Sequence, residues 1–392
     1  MTGLLLLLFT QVVEVVETDH YQLHAEGEPA LAAEYSRVLE AAYPQFEKFF
    51  GAKPRLKKKQ KLVVRYFLTR EAWAKAILAD RAVPPAKAGG FYWPSTKTAY
   101  LYKQPTRYYS RALLIHEAAH QFHFLARTKN STPSAVWYRE GTAEYLAAHY
   151  WDGENLKLGV LPHVTLKDYA ADALKQTKAP GFDLMKYVAG KTPESRPLGW
   201  ALYRYLATQG GKSFPKWTKK MNSGGSATST FKRGFKKKLR AGFVPWLEQH
   251  QEPFRQVWNE WQGAGNNSVR GFAGVVSVCQ LKRDVTELSA VIVPPKSGRW
   301  TAGLLLHYKD KDDFTVAMLE NGTVLYRDHV HTRLERIPLK AATLKIKAFR
   351  KDGKTYVSVG DETFGPWELE GGRFGFAIDN CDVRFDQVRW KR

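Results

Sequence analysis

Three histidines and one glutamate fall within eight positions of the segment LLIHEAAHQFHF, residues 113–124. His116 and His120 are four residues apart, so on a helix their imidazoles lie one turn apart on one face and can bind the same ion. Glu117 lies beside that face, where its carboxylate can take a proton from a metal-activated water. The spacing therefore predicts a zinc site with two histidine ligands and a general base.

His123 is the third histidine of this segment and a candidate third ligand. Its Cα lies about 10.5 Å along a helix from that of His116, because each residue rises about 1.5 Å. Zinc–nitrogen bonds are only about 2.1 Å long, so a straight helix does not easily bring His116, His120 and His123 onto one ion. We therefore expect His123 to pack near the helix end or to lie behind the ligands.

A catalytic zinc ion takes three protein ligands and keeps one position open. The segment WYREGTAEYLA, residues 137–147, supplies Glu140 and, four residues later, Glu144. On a helix the two carboxylates share one face, so one can bind the metal while the other accepts a hydrogen bond from a ligand histidine. The alternative is a solvated acidic face, and the apolar residues around both glutamates count against it.

HEAAH, a helix break and WYREGTAEYLA together resemble the gluzincin class of zinc metallopeptidases, in particular its peptidase MA-like, DUF1570-type branch, over residues 107–150. The resemblance implies three ligands for Zn2+, namely His116, His120 and Glu140. It also implies that Glu117 is the general base and that Glu144 supports His116 from behind. The implied activity is zinc-dependent hydrolysis of a peptide or protein substrate.

Thermolysin-like relatives of this class also use a tyrosine or histidine to stabilise the oxyanion. No motif of this sequence identifies that residue. The candidates are Tyr138, His149, Tyr150 and Tyr203.

The predicted helices place these residues. Residues 107–127 contain no glycine or proline and carry Ala, Leu and His at helical spacing, which predicts one long helix for the HEAAH segment. Pro133 ends it, and residues 135–151 predict a second helix. With the strand candidates before residue 107, we expect an α+β fold in which residues 12–264 form a mainly helical, zincin-type domain.

After about residue 265 the sequence changes to strands separated by turns. Asn321-Gly322 and Asp352-Gly353 are strong two-residue hairpin signals. We expect an all-β jelly-roll sandwich over residues 270–392, which resembles concanavalin-like and laminin-G-like modules. Such modules often bind carbohydrate, and three tryptophans are candidates to stack on sugars, with core packing as the alternative: Trp300, Trp367 and Trp390.

The chain has 392 residues and a formal net charge of +22, which favours acidic surroundings such as a polyanion or an anionic envelope. A solvated surface accounts for the lysine runs Lys57–Lys59 and Lys236–Lys238. No nucleic-acid-binding motif accompanies the charge, so we expect no nucleic-acid partner. Only Cys279 and Cys381 are available for a disulfide, and paired and free thiols both fit the sequence.

The N-terminus contains an apolar run, Leu4–Phe9, that is too short to span a bilayer. Residues 1–11 are a candidate signal segment, although no basic residue precedes the run and no A-x-A site follows. A first β-strand is the alternative. We expect a secreted or periplasmic protein without a transmembrane segment, and a cytoplasmic location also fits.

Two main functions from different classes follow from the sequence, and a third, a basic polyanion-binding protein, rests on charge alone. The first is a zinc metallopeptidase with a β-sandwich accessory domain. The second is a non-catalytic carbohydrate- or envelope-binding protein with a structural or degenerate zinc site. Glu117 favours the peptidase, because a binding protein needs no base beside the two histidines.

Overall fold

The computed structural model describes residues 13–27, 29–127, 135–160, 168–251, 254–256, 260–263, 269–272, 277–310, 313–328, 333–339, 343–369, 372–379 and 381–392. The chain divides into two compact units. Unit 1 comprises Met1–Gly159 and Ala173–Leu247, and unit 2 comprises Val160–Asp172 and Glu248–Arg392. Helices and a mixed sheet make up unit 1 and strands dominate unit 2, which confirms the α+β class.

Seven strands lie in the first part of the chain: β1 (Val13–Glu17), β2 (Tyr21–Glu26), β3 (Leu62–Phe67), β4 (Gly90–Trp93), β5 (Thr98–Tyr102), β6 (His149–Trp151) and β7 (Leu156–Leu158). The first four helices are α1 (Pro29–Phe50), α2 (Arg70–Ala79), α3 (Arg107–Arg127) and α4 (Val136–Ala147). They are followed by α5 (Tyr169–Thr177), α6 (Leu184–Val188), α7 (Arg196–Gln209), α8 (Ser213–Asn222), α9 (Ala227–Gly234), α10 (Lys237–Ala241) and α11 (Phe243–Gln249). Helix α5 crosses the boundary between the units.

Unit 1 is built on a five-stranded sheet with the order β1-β2-β3-β5-β4. Strands β2, β3 and β5 are parallel, whereas the edge strands β1 and β4 run antiparallel to their neighbours. Helices α1 and α3 cover one face, where Leu23, Val64 and Leu101 meet Phe122 in one buried cluster. Helix α2 covers the opposite face of β3 and β5. Helix α3 contacts β5 and β4, so it covers the part of this face that ends at the edge strand β4.

Helix α4 ends earlier than the sequence predicts. It stops at Ala147, and His149–Trp151 instead pair antiparallel with Leu156–Leu158. Aromatic side chains favour strands, and Gly153 at φ 99° supplies the turn between the two strands. The expectation of helix through residue 151 is therefore wrong.

Unit 2 contains fourteen described strands: β8 (Phe254–Gln256), β9 (Glu260–Gly263), β10 (Val269–Phe272), β11 (Ser277–Leu281), β12 (Glu287–Val293), β13 (Thr301–Asp310), β14 (Asp313–Glu320), β15 (Thr323–Asp328), β16 (Arg333–Pro338), β17 (Lys345–Lys351), β18 (Lys354–Val359), β19 (Glu362–Trp367), β20 (Gly375–Asp379) and β21 (Asp382–Lys391). They form two antiparallel seven-stranded sheets, β19-β18-β17-β12-β21-β10-β9 and β16-β15-β14-β13-β20-β11-β8. Residues of both sheets share one apolar core, in which Phe376 and Phe385 stack 4.4 Å apart. The expected β-sandwich is confirmed.

Both predicted hairpins are present in unit 2. Asn321 and Gly322 connect β14 to β15, and Asp352 and Gly353 connect β17 to β18. All four residues have positive φ angles between 48° and 74°, the conformation that Asn-Gly and Asp-Gly adopt in two-residue hairpin loops.

The division between the units lies earlier than the expected end of the first domain at residue 264. Residues 254–263 fit helical spacing in the sequence, yet Phe254–Gln256 pair with β11 and Glu260–Gly263 pair with β10. Phe254 and Trp261 are buried in the sandwich core, and this burial overrides the local helical pattern.

Both cysteines are free thiols, Cys279 buried and Cys381 half-buried. Among the described helices, none is long and apolar enough to cross a membrane. The candidate signal segment, residues 1–11, lies outside the described residues.

Candidate metal centre

Helix α3 carries the histidine pair into a buried position. Leu114, Ile115 and Phe122 anchor the helix in the core of unit 1, and the adjacent face bears His116 and Glu117, which are 2% and 3% exposed. The Nε2 atoms of His116 and His120 lie 3.0 Å apart. The i, i+4 spacing therefore brings both imidazole nitrogens to one point, as the sequence predicts for two ligands.

Glu140 on helix α4 brings a carboxylate to the same point. Its Oε2 lies 3.5 Å from His116 Nε2, and its Oε1 lies 3.5 Å from His120 Nε2. The three side chains offer ligand atoms that all lie within 4.8 Å of one another. Among the described residues, this is the one group of three or more such side chains that could hold a metal ion.

The donor set fits a zinc ion in chemistry and in spacing. Two imidazoles and a carboxylate are a common catalytic zinc ligand set. With bonds of about 2.1 Å, tetrahedral ligand atoms lie about 3.4 Å apart, close to the 3.0 and 3.5 Å found here. Oε2 of Glu140 is buried and makes no close hydrogen bond, since its neighbours His116 Nε2 and Arg196 Nη2 both lie 3.5 Å away. A cation between these side chains would satisfy this buried oxygen.

Glu144 lies behind His116. Its Oε1 is 3.5 Å from His116 Nδ1, the ring nitrogen that faces away from the ligand cluster. The same carboxylate pairs with Arg196 Nη1 at 3.1 Å, and Arg196 Nη2 lies 3.5 Å from Glu140 Oε2. One arginine thus bridges the two glutamates of α4 from the start of α7.

The approach of α4 to α7 depends on two glycines. A Cβ on Gly141 would lie 2.6 Å from the carbonyl oxygen of Gly199, and a Cβ on Gly199 would lie 3.2 Å from the carbonyl oxygen of Trp137. The helices can therefore cross backbone to backbone only because both positions lack a side chain. This crossing brings Arg196 within reach of Glu140 and Glu144.

Glu117 lies next to the ligands and is not one of them. Strand β4 passes so close that a Cβ on Gly90 would lie 2.5 Å from Glu117 Oε1. Burial raises the pKa of Glu117 to about 7, although the charge of His116 opposes this shift. A carboxyl group with a pKa near neutrality can both accept and return a proton.

Glu140 has the opposite electrostatic character. Burial alone would raise the pKa of Glu140, but the charges of His120 and His116 and their hydrogen bonds lower that pKa well below its usual value. Glu117 therefore has a much higher proton affinity than the neighbouring Glu140. Glu140 stays ionised as a ligand must, whereas Glu117 is poised to exchange a proton.

His123 is not part of the ligand cluster. Its Nε2 lies 2.7 Å from Asn222 Oδ1 on helix α8, and the hydroxyl of Tyr138 donates to the same oxygen at 2.8 Å. Two donors share one acceptor, so His123 carries its proton on Nε2. Burial lowers the pKa of His123 to about 4, which keeps the ring neutral. We call these three residues the Asn222 junction.

The candidate oxyanion residues have other described partners. Tyr138 donates to Asn222, and Tyr150 donates to Asp152. Tyr203 is buried among aromatic rings, including Tyr138 and Tyr145. His149 is fully buried, stacks on Tyr108 at 4.6 Å and lies 2.8 Å from the Ala147 carbonyl oxygen through Nδ1. None of the four makes a described contact with the ligand cluster.

Sequence reasoning missed five residues that shape the site: Gly90, Gly141, Arg196, Gly199 and Asn222. The Gly89-Gly90 pair before a strand could have signalled a close backbone approach. Asn222 is 99 residues from His123 and Arg196 is 52 residues from Glu144, and no local pattern connects either pair.

No family model matches the chain, and no curated protein matches it. The peptidase resemblance therefore rests on the motif residues of α3 and α4 alone.

Several solved structures are similar to about a third of the chain. The carbohydrate-binding module CBM66 from Bacillus subtilis shares 13% identity, covers 36% of this chain and 96% of its own, and has a TM-score of 0.30. The galectin LEC-6 of Caenorhabditis elegans shares 14% identity over 32% of this chain and 96% of its own, with a TM-score of 0.23. The GH43 BlXynB protein from Bacillus licheniformis shares 15% identity over 36% and 39%, with a TM-score of 0.26. None of the three is named as a peptidase, and similarity at this level assigns no function.

Proposed function

We propose that unit 1 is a zinc-dependent peptidase. The observation that carries the proposal is the convergence of His116, His120 and Glu140 next to a buried Glu117 that is not itself a ligand. A structural zinc site is closed by four protein ligands, whereas three ligands leave a position for the reaction. The described residues supply three.

The roles follow from the chemistry of each side chain. Zinc, when bound, supplies a Lewis acid that polarises a carbonyl and makes water acidic near neutral pH. Glu117 accepts the proton of the attacking water and returns it to the leaving amine. Glu144 and Arg196 hold His116 and Glu140 from behind, which keeps the ligand atoms in place.

Strand β4 supports a peptide as the substrate. It is an edge strand in the described sheet, antiparallel to β5, and its first residue, Gly90, lies against Glu117. An extended peptide can add to a sheet edge by backbone hydrogen bonds whatever its side chains. A peptide bound there would pass beside the general base.

Zinc content and cleavage of a peptide library, compared between the wild type and Glu117→Gln, test the proposal. We expect both proteins to bind zinc, with cleavage by the variant slower by about 10²–10⁴-fold because the general base is lost. Glu194→Gln is the matched control, since Glu194 is an exposed carboxylate near enough to the site to be affected by the charge of Glu140. This control should cleave nearly as fast as the wild type.

Two results would count against the proposal. Zinc in the wild type without cleavage of any peptide would favour a non-catalytic protein. Equal cleavage by the wild type and Glu117→Gln would remove Glu117 from the reaction and leave the metal ligands untouched.

A second candidate is carbohydrate binding by unit 2, the alternative from the sequence. The solved structures named above include a carbohydrate-binding module, but their TM-scores are too low to support a function. The support must come from the residues of this chain. Trp300 lines a cavity of about 560 Å³ with Leu339, Thr343 and Lys345. Trp367 is buried and stacked on Tyr326 at 4.4 Å, so it has no free face for a sugar.

A panel of oligosaccharides titrated against the wild type and Trp300→Ala tests the second candidate. Oligosaccharide binding that Trp300→Ala abolishes would support a sugar site in unit 2. If the protein also holds zinc but cleaves no peptide, carbohydrate binding would be its main function. If no oligosaccharide binds, the cavity is not a sugar site.

A further inference from the structure

The segment between Ser195 and Leu247 carries twelve lysines and arginines and no aspartate or glutamate. It therefore contributes +12 in 53 residues to a chain whose formal net charge is +22. No other stretch of this length in the chain lacks aspartate and glutamate. The segment lies entirely within unit 1 and is described throughout.

Most of these cations lie at the surface. Nine are exposed, and we call them the basic surface: Lys212, Lys216, Lys219, Lys220, Lys232, Arg233, Lys236, Lys237 and Lys238. Within the described part of the chain none of the nine forms an ion pair, whereas cations elsewhere do, such as Arg65 with Asp80 and Lys354 with Glu368. Nine like charges without counter-charges repel one another, which favours an anionic partner.

Helix ends account for only part of this arrangement. Lys219 and Lys220 lie in the last turn of α8, and Lys232 and Arg233 in the last turn of α9, where a cation stabilises the helix. That role does not explain Lys212, which precedes α8, or Lys236 and Lys237, which lie at the start of α10, whereas Lys238 already lies in the last turn of that short helix. A cation at a helix N-terminus is unfavourable, so helix stability does not account for Lys236 and Lys237.

The helices that carry the basic surface are packed against one another. Trp217 of α8 packs on Phe235 after α9 at 5.2 Å, and Phe231 packs on Phe235 at 5.5 Å. The Tyr205 hydroxyl of α7 donates to the Leu239 carbonyl of α10 at 2.6 Å. Helices α8, α9 and α10 therefore fix the positions of their lysines, as a flexible tail would not.

We infer that the basic surface binds the face of an anionic phospholipid bilayer. Eight of its nine cations are lysines, whose compact charges attract phosphate headgroups without the bidentate geometry that arginine provides. Clusters of this size on helices attract anionic lipid surfaces. The interaction is electrostatic and peripheral, because none of the exposed large hydrophobic side chains lies in the segment.

The aromatic residues of the segment argue against a single-stranded nucleic acid as the partner. Single-stranded nucleic acids bind where exposed aromatic rings stack on bases. The aromatic residues Trp217, Phe231 and Phe235 of this segment are at most 2% exposed, so they offer no such platform. The inference does not depend on the proposed peptidase activity, because it uses none of the site residues.

Sedimentation of the full chain with phosphatidylcholine vesicles, with and without phosphatidylserine as roughly a third of the lipid, tests the inference. We expect binding only to the anionic vesicles, and release when salt is raised from about 0.1 M to about 0.5 M. The triple variant Lys236→Gln, Lys237→Gln, Lys238→Gln should bind about a hundredfold more weakly.

The matched control is the triple variant Lys57→Gln, Lys58→Gln, Lys59→Gln, which removes the same charge from another exposed run of unit 1. It should bind nearly as well as the wild type. Equal loss in both variants would overturn the inference, because net charge alone would then explain binding. No binding to anionic vesicles, equal binding to neutral ones, or tighter binding to duplex DNA would also overturn it.

Discussion

The two units bury different kinds of side chain. Helix α3 of unit 1 buries Arg111, His116, Glu117 and His123, and the fully buried His149 follows α4. In unit 2, Asp328 is the one described residue with a buried ionisable carboxylate, histidine or basic group, and the sandwich core is apolar. Burying ionisable groups costs free energy unless they are paired, so their concentration in unit 1 points to a site rather than to stability.

The buried groups of unit 1 are not all alike in function. His116, His120 and Glu140 converge on one point, whereas His123 and His149 are held away from it by other partners. Residue type alone therefore does not identify a metal ligand. The partner of each ring nitrogen shows whether a histidine can bind the metal.

The largest expected effect is the loss of stability from a substitution in the core of unit 2, which should leave the metal site of unit 1 unchanged. Phe376→Ala removes a fully buried ring that stacks on Phe385 across the two sheets. We expect it to lower the free energy of unfolding of unit 2 by about 3–5 kcal/mol, through lost burial and a cavity. Hydrogen exchange of the β13 and β20 amides measures this loss. Zinc content should not change, and a fall in zinc content would break the contrast between the two units.

Glu140→Ala tests which carboxylate binds the metal. We expect zinc affinity to fall by more than about a hundredfold, because a direct ligand should matter more than a residue behind one. Competition with a chelator measures this affinity. Glu144→Ala is the comparison and should weaken zinc about 10–100-fold. Full zinc occupancy in Glu140→Ala would place the third ligand elsewhere.

Acid should destabilise unit 1 through its two neutral histidines. Burial lowers the pKa of His123 to about 4 and that of His149 to about 3, below the value of about 6.5 in the unfolded chain. Between these values the unfolded chain binds more protons, so stability falls as pH falls from about 6.5. At about pH 5 each histidine should cost about 2 kcal/mol relative to neutral pH.

Urea unfolding of the chelated protein at neutral pH and at about pH 5 measures this loss. His149→Gln should remove the contribution of His149 itself, about 2 kcal/mol, because the variant cannot be protonated there. Burial raises the pKa of Glu117 to about 7, so protonation of Glu117 offsets part of the loss equally in the wild type and in the variant. No described histidine of unit 2 is buried, so its strands should not share the effect. A pH dependence unchanged in His149→Gln would show that this histidine is not the titrating group.

The smallest expected effect is on zinc affinity in variants of Asn222, a residue that positions the ligand helices without binding the metal. The Asn222 junction ties His123 of α3 and Tyr138 of α4 to one oxygen, and so sets the two ligand helices relative to each other. Asn222→Leu should weaken zinc about tenfold, as loss of an outer-shell contact does. Asn222→Asp keeps an acceptor and should restore the affinity.

Tyr205→Phe controls for the loss of a hydrogen bond elsewhere in unit 1. It should cost similar stability and leave zinc affinity unchanged. If Asn222→Leu lowers stability but not zinc affinity, the junction serves folding only.

Much of the local structure was predictable because local patterns determine it. Residues 107–127 lack glycine and proline, and helix α3 has those bounds. Asn321-Gly322 and Asp352-Gly353 form their hairpins because both residues of each pair tolerate positive φ. The spacing of His116, Glu117 and His120 likewise follows from helix geometry alone.

The surroundings of that motif depend on packing between elements that are distant in the sequence. Phe254 and Trp261 fit a helical pattern but lie in strands, because burial in the sandwich outweighs local preference. Gly90, Arg196 and Asn222 reach the site through packing of β4, α7 and α8, over separations that no periodicity records. Which histidines can bind a metal could be predicted from the sequence, because one helix turn sets their spacing. Which carboxylate joins them, and what holds it there, depends on long-range packing.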